Sequence, residues 1–423
     1  MMDPTHGSAR DDRVSRTGHS LGVWTAVCHG LLLVVLAVYW GTYLAHQQSV
    51  FDFASRRDFV GLYVGARTLT LGAAARLYDL GTQRATMDVA ISPLRHSVLF
   101  PFVYPGYVAT VLRPLGLLSL APAFLLWTAI NLAATAWMMV RLLRYVSGRV
   151  PVRLAVLTAM LASLPLHLTL LNGQVSLLPA VAVMEAWFSL ERGKGSRSGL
   201  WLALGLVKPH LLLFPLLGLV LWRQWRALAT FYGIALALLL VSVLDIGVWV
   251  PAYLRFLVAY SQGGAEVARY PAAMQNWRSL FISLGAGDAV LWPLLLGLTS
   301  AAVAGWLCLR FRPALGDSAA RIVWAIVVVL GLVSAPHLYL HDWVVALPAG
   351  VFLWRSLEDD MEKVRRVQGA AIVWLQALLG AGPPAFFAAQ FLGRSGPLPL
   401  VPVYVIAVLV ASVGCLRRMG TVA

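Results

Sequence analysis

The sequence predicts an all-α polytopic membrane protein, and three observations carry that prediction. Sixty per cent of the 423 residues are hydrophobic and only 12% are charged, where a soluble domain has about a quarter of its residues charged. Apolar runs of roughly twenty residues, the length that crosses a bilayer as helix, recur along the chain. The net charge of +15 comes from Lys and Arg gathered in short loops between those runs, as on the cytoplasmic flanks of membrane spans. That distribution argues against a nucleic-acid partner. Cys28, Cys308 and Cys415 fall singly within or beside apolar runs, which suggests neither a disulfide framework nor a zinc site.

Taken in order, residues 1–20 form a polar tail with Arg10, Arg13 and Arg16, expected in the cytoplasm. The run 21–44 is too long for a signal-peptide core and has Tyr43 where a cleavage site needs a small residue, so it reads as an uncleaved anchor. Residues 46–119 form a first external loop, with the stretch after Phe100 dipping into or lying on the membrane. Span two is 120–143, followed by Arg141, Arg144, Arg149 and Arg153 inside. Span three is 154–171, turning outside at Asn172-Gly173-Gln174, and span four returns to Glu191. Both ends of the next segment, 199–226, look cytoplasmic and neither half is long enough to span. It is expected to be two short helices meeting at Lys208-Pro209-His210, a broken backbone tolerated only where it lines a cavity or packs in protein. Spans at 227–245, 289–309, 322–333, 343–354, 369–391 and 400–416 complete the count, with a second external loop at 246–288. The expectation is about ten full spans plus a re-entrant helix pair, about twelve membrane helices, with both termini cytoplasmic. Residues 21–423 form one transmembrane domain without repeats, whose two external loops make up the active-site face.

The external side collects the polar residues. The stretch from Phe51 to Asp79 crowds carboxylates, arginines and tyrosines into a chain that elsewhere avoids charge. Read as a helix from Asp58, one face carries Asp58, Gly61, Gly65, Thr68 and Gly72, and the other Phe59, Leu62, Tyr63, Ala66 and Leu69. The smooth glycine face admits a second backbone or a ligand, though the stretch also fits a plain interfacial connector. Ionisable groups at membrane depth cost about 2.5–3.5 kcal/mol each and are functional candidates by default. Each has an ordinary alternative: Lys208 could snorkel from a helix end, His337 or His341 could satisfy backbone groups, and Asn172 and Gln174 could be turn residues.

Asp58, Tyr63, Gly72 and Leu77-Tyr78-Asp79, followed by Tyr104-Pro105, Asn172-Gly173-Gln174, Lys208-Pro209, Asn276-Trp277-Arg278-Ser279 and Ala335-Pro336 with His341-Asp342, resemble in order and spacing glycosyltransferase family 87. The resemblance covers about residues 50–355. It implies the GT-C membrane fold and a polyprenyl-phosphate-sugar donor used on the periplasmic, extracytoplasmic face of a bacterial inner membrane. It also implies transfer to a lipid or glycan acceptor, with mannose as the expected sugar and arabinofuranose as the alternative. In this family the base lies on the first external loop, which here means Asp58, with Asp52 as second choice. Chemistry and resemblance agree on direct in-line attack with inversion at the anomeric carbon. Lys208, His341, His337 and Arg278 would hold the donor phosphate. Asp52, Tyr63, Tyr78, Tyr104, Asn172, Gln174 and Asn276 would line the substrate cleft. No carboxylate cluster marks a metal site, so no cofactor is expected, one weakly held Mg²⁺ or Mn²⁺ being the open alternative. A secondary transporter or a lipid flippase could carry similar polar groups at depth. Against the transporter, the sequence has no repeat and its polar residues gather on one face.

Overall fold

The computed structural model describes residues 48–146, 150–262, 273–285, 290–311 and 317–359, with isolated positions between 27 and 45. The tail 1–20, most of the expected first span and the last two expected spans (369–391 and 400–416) lie outside the described residues. So do parts of the second external loop.

Every regular element among the described residues is helical. Before the first long helix come α1 (Val50–Ser55), α2 (Phe59–Thr70), α3 (Leu80–Ala90) and α4 (Gly106–Leu112). The expected helix after Asp58 is α2. Both its faces are buried. Its glycine face takes an extended segment: a Cβ on Gly61 would lie 2.7 Å from the Pro101 carbonyl oxygen, and one on Gly65 only 2.2 Å from the Phe102 ring. That backbone approach brings residues 100–105 alongside Asp58. Gln83 of α3 pins the same segment by accepting from the Phe102 N–H at 2.8 Å.

Among the described residues, three helices are long and apolar enough to cross a membrane: α5 (Leu120–Tyr145), and further on α11 (Trp225–Ile246) and α14 (Leu291–Arg310). Their outward positions keep Leu125, Leu132, Leu236, Leu244 and Leu298 exposed, as a lipid-facing surface requires. The stretch 154–171, expected as one span, is two helices, α6 (Val150–Leu161) and α7 (Leu164–Leu171). Pro165 is the reason. It offers no N–H to the Leu161 carbonyl and its ring crowds that oxygen. The His167 ring takes the vacated acceptor at 2.6 Å.

After α8 (Leu177–Glu191), the 195–221 segment is the expected broken pair. Helix α9 (Gly195–Ala203) runs into a 3₁₀ turn, the chain breaks at Lys208, and a second 3₁₀ turn leads into α10 (Leu213–Leu221). The two ends lie together, since a Cβ on Gly195 would stand 3.3 Å from the Arg226 Cβ at the start of α11. The apex at Lys208 reaches the far end of the bundle, against Gln174 and Asp342. Helices α12 (Val250–Gln262) and α13 (Trp277–Ser283) precede α14. The last two described helices are α15 (Ser318–Ser334) and α16 (Ala346–Asp359). Helix α15 is buried along almost its whole length and forms, with α8 and α16, an apolar core built on Trp187, Trp324 and Phe352. A second core surrounds α2 and includes Phe59, Met87 and Phe102.

Candidate active site

Where the two cores meet, a cavity of about 710 Å³ opens, lined by Val103, Tyr104 and Val207 of one core and by Leu168 and Leu340 near the other. Its volume falls within the range of small-molecule sites. Of the residues singled out from the sequence, Asp58, Tyr104, Gln174, Lys208, Arg278, His337 and His341 line it.

Asp58 is half-buried immediately before α2. Its Oδ2 accepts a hydrogen bond from Gln174 Nε2 at 2.7 Å. Gln174 Oε1 accepts from Lys208 Nζ at 3.3 Å and from the Tyr104 hydroxyl at 3.4 Å. Lys208 also donates to Ser176 Oγ at 3.1 Å and forms an ion pair with Asp342 Oδ1 at 2.6 Å. Asp342 is 1% exposed. Burial alone would raise its carboxyl, but Lys208, with His341 beside it, holds it well below the usual carboxylate range. His341 Nε2 stands 3.5 Å from Asp342 Oδ2. In the turn after α15, burial with the His210 ring alongside pushes the His337 imidazole down to about 3, so His337 meets a ligand as a neutral ring.

The other expected residues are placed elsewhere. Tyr63 donates to the Leu118 carbonyl and Tyr78 to the Tyr104 carbonyl, so their hydroxyls tie loops together. Asn276 caps α13 and donates to the Ala335 carbonyl. The Asn172 carbonyl receives the Phe59 N–H. Asp52 pairs with Arg56. None of these five lines the cavity.

Four groups without a specific role in the sequence reading also belong here. Asp342 is adjacent to His341, and Ser176 two residues beyond Gln174, so each had a neighbour as signal. Tyr253 and Tyr260 line the cavity from α12 together with Leu257, at the i, i+4, i+7 spacing of one helix face. Nothing in the sequence tied that face to Asp58.

A cavity lined by a carboxylate with one open oxygen, a guanidinium and imidazole rings can both accept a proton and hold an anion. The family model for glycosyltransferase family 87 matches residues 102–336. A polyprenol-phosphate-mannose-dependent alpha-(1-2)-phosphatidylinositol pentamannoside mannosyltransferase of Mycolicibacterium smegmatis is 29% identical over 330 residues, 76% of this chain and 75% of that protein. No solved structure matches the chain.

Proposed function

Since the chain belongs to glycosyltransferase family 87, we propose that it transfers mannose from a polyprenyl-phosphate donor to a lipid or glycan acceptor on the extracytoplasmic face of a bacterial inner membrane. The observation that carries this reading is that Asp58, Arg278, His337 and His341 all line one cavity. Only one Asp58 oxygen has a hydrogen-bond donor among the described residues. The other is open to an acceptor hydroxyl.

In the reaction, the acceptor oxygen attacks the anomeric carbon while its proton passes to Asp58. The bond from that carbon to the phosphate oxygen breaks, and the phosphodiester leaves as polyprenyl phosphate with one more negative charge. Arg278 and the ring N–H groups of His337 and His341 meet that growing charge, which is where preorganised donors help most. A single base and a single displacement invert the anomeric centre. The step as written uses no metal or other cofactor.

The relative's name, which specifies a polyprenol-phosphate-mannose donor and a glycolipid acceptor, supports the donor and acceptor classes. The test is a screen of purified protein with polyprenyl-phosphate mannose, arabinofuranose and glucose, with membrane lipid extract as acceptor and no gradient imposed. Mannose transfer is expected. Protein that consumes none of the three, but moves lipid or solute across vesicles, would return the transporter and flippase readings.

The proposed topology keeps one transmembrane domain of about ten spans, both termini cytoplasmic, with 195–221 re-entrant from the cytoplasm. In a cysteine-free background, Ser97→Cys should react with an impermeant thiol reagent on intact cells and Lys194→Cys should not. Labelling of Lys194→Cys from outside would overturn the assignment.

A further inference from the structure

An ammonium carries three N–H donors and accepts nothing. The three partners of Lys208 are all inside the protein: Asp342 Oδ1, Ser176 Oγ and Gln174 Oε1. Ser176 also donates to Asp342 Oδ1, at 2.6 Å, and the Tyr339 N–H donates to Asp342 Oδ2. The lysine charge is thus matched by a buried carboxylate that is itself fully engaged. Turning Lys208 toward a donor phosphate would mean breaking that pair.

What Lys208 does fix is the Gln174 amide. Facing a group that can only donate, the amide must present its oxygen to Lys208. Facing a carboxylate, it must present its nitrogen to Asp58. The two neighbours together forbid a flip. The backbone of the same turn is held as firmly. Three successive carbonyls are hydrogen-bonded: Asn172 by the Phe59 N–H at 3.0 Å, Gly173 by Trp127 Nε1 at 2.8 Å and Gln174 by Asn131 Nδ2 at 3.2 Å. Gly173 has φ of +61°, and a Cβ there would lie 2.9 Å from the Phe59 Cβ. The turn therefore packs directly against the residue that follows Asp58.

We propose that Lys208 and Gln174 are positioning residues for Asp58, the lysine orienting the amide and the amide holding one carboxylate oxygen so that the other faces the cavity. This rests on the transferase reading above and sharpens it. Direct contact with the donor phosphate, expected of Lys208 from the sequence, passes to Arg278 and the histidines. When Asp58 takes the acceptor proton on its open oxygen, the Gln174 N–H still has Oδ2 as acceptor, so the base changes charge without losing its support.

The test compares Gln174→Leu, Gln174→Glu, Lys208→Met and the doubles Gln174→Leu/Lys208→Met and Lys208→Met/Asp342→Asn, using the polyprenyl-phosphate sugar that the wild type turns over. Lys208→Met leaves Asp342 buried and unpaired, which endangers the fold; the Asp342→Asn companion removes that charge. Titratable and charged groups facing Asp58 are Tyr104 from the extended segment, His341 from the turn after α15, and Lys208 through the amide. Gln174→Leu and Lys208→Met/Asp342→Asn should each lower kcat by about tenfold or more, with donor Kd within about threefold of wild type. Gln174→Leu/Lys208→Met should fall little further than the worse single, because the two act through one chain. Gln174→Glu sets a second carboxylate against Asp58, so the acid limb of kcat/KM should move up by about one pH unit or more. A merely structural role would cost folded yield and leave that limb in place. A donor Kd raised tenfold in Lys208→Met/Asp342→Asn, with the limb unmoved in Gln174→Glu, would make Lys208 a phosphate ligand and overturn the inference. Wild-type protein that transfers nothing from any lipid-linked donor would overturn the transferase reading itself.

Discussion

Asp58 and Asp79 occupy the same place on two successive helices, the residue before the first turn, and their carboxylates go to different partners. Asp79 has extended backbone, φ −83° and ψ 120°, and its Oδ1 accepts from the Thr82 N–H at 2.8 Å and the Thr82 hydroxyl at 2.7 Å. That is an ordinary N-cap, satisfying a helix N–H that has no partner within the helix. Asp58 has helical backbone, φ −59° and ψ −22°, and makes no side-chain cap. The first N–H groups of α2 are met by backbone instead: Phe59 by the Asn172 carbonyl and Val60 by the Arg57 carbonyl. Relieved of capping, the Asp58 carboxylate is available to the cavity. A carboxylate at a helix start becomes a candidate base only where other groups satisfy the helix.

The largest effect expected from this contrast falls on Asp58. Asp58→Asn keeps the shape but accepts no proton, so turnover should fall by at least ~10²-fold, about 2.7 kcal/mol of barrier. Folding and donor binding should hold, because the helix start does not depend on the carboxylate. Turnover and donor binding of the purified variant decide it. Near-wild-type turnover would hand the role of base to Asp52.

Much of this was legible in the sequence, for identifiable reasons. The helix after Asp58 was readable because its glycines and its large apolar residues fall on opposite faces at helical spacing. The broken pair at Lys208 was readable because neither half is long enough to span and Pro209 interrupts it. The split at Pro165 was harder, because an apolar run of span length masked the missing N–H. In the site, residues that line the cavity and residues that brace it have the same composition. Tyr104 faces the cavity while Tyr63 and Tyr78 fasten loops, and only long-range packing separates them. The pairing of Lys208 with Asp342 joins positions 134 residues apart, a distance that local pattern does not reach.

The middle effect belongs to Asp79. Asp79→Ala should cost about 1 kcal/mol of stability through the lost cap and leave turnover of the folded protein unchanged. The hydrogen bonds from Thr82, with a smaller contribution from Arg76, hold the Asp79 carboxyl below its usual range. A lowered folded-state pKa adds stability above the unfolded value, near 3.9, and that stability is lost as pH falls through the folded value. Acid unfolding followed below about pH 4 should therefore lose this contribution in the wild type. Asp79→Asn, a neutral cap, should show no such dependence. An activity loss in Asp79→Ala with unchanged stability would erase the distinction between the two helix starts.

The smallest effect is expected at Asp52, and it makes the contrast sharpest because Asp52 is the alternative base only six residues from Asp58. Its carboxylate lies one helical turn from Arg56, 2.9 Å away, and the arginine side chain is 57% exposed. Exposed i,i+4 pairs contribute about 0.3–0.5 kcal/mol and weaken with salt. Helix α1 keeps its start without this carboxylate, since Ser49 Oγ accepts from the Asp52 N–H at 3.0 Å. Asp52→Asn should accordingly change stability by no more than about 0.5 kcal/mol, with the difference fading at high salt. Turnover should stay within about twofold of wild type, because Asp52 has no side chain of the cavity wall as partner and its own partner is held at the surface. Measured beside Asp58→Asn under one assay, each variant replaces one carboxylate by an amide, at positions six residues apart. A loss at Asp52 comparable to that at Asp58 would mean that the Arg56 pair opens during turnover and that α1 moves toward the cavity.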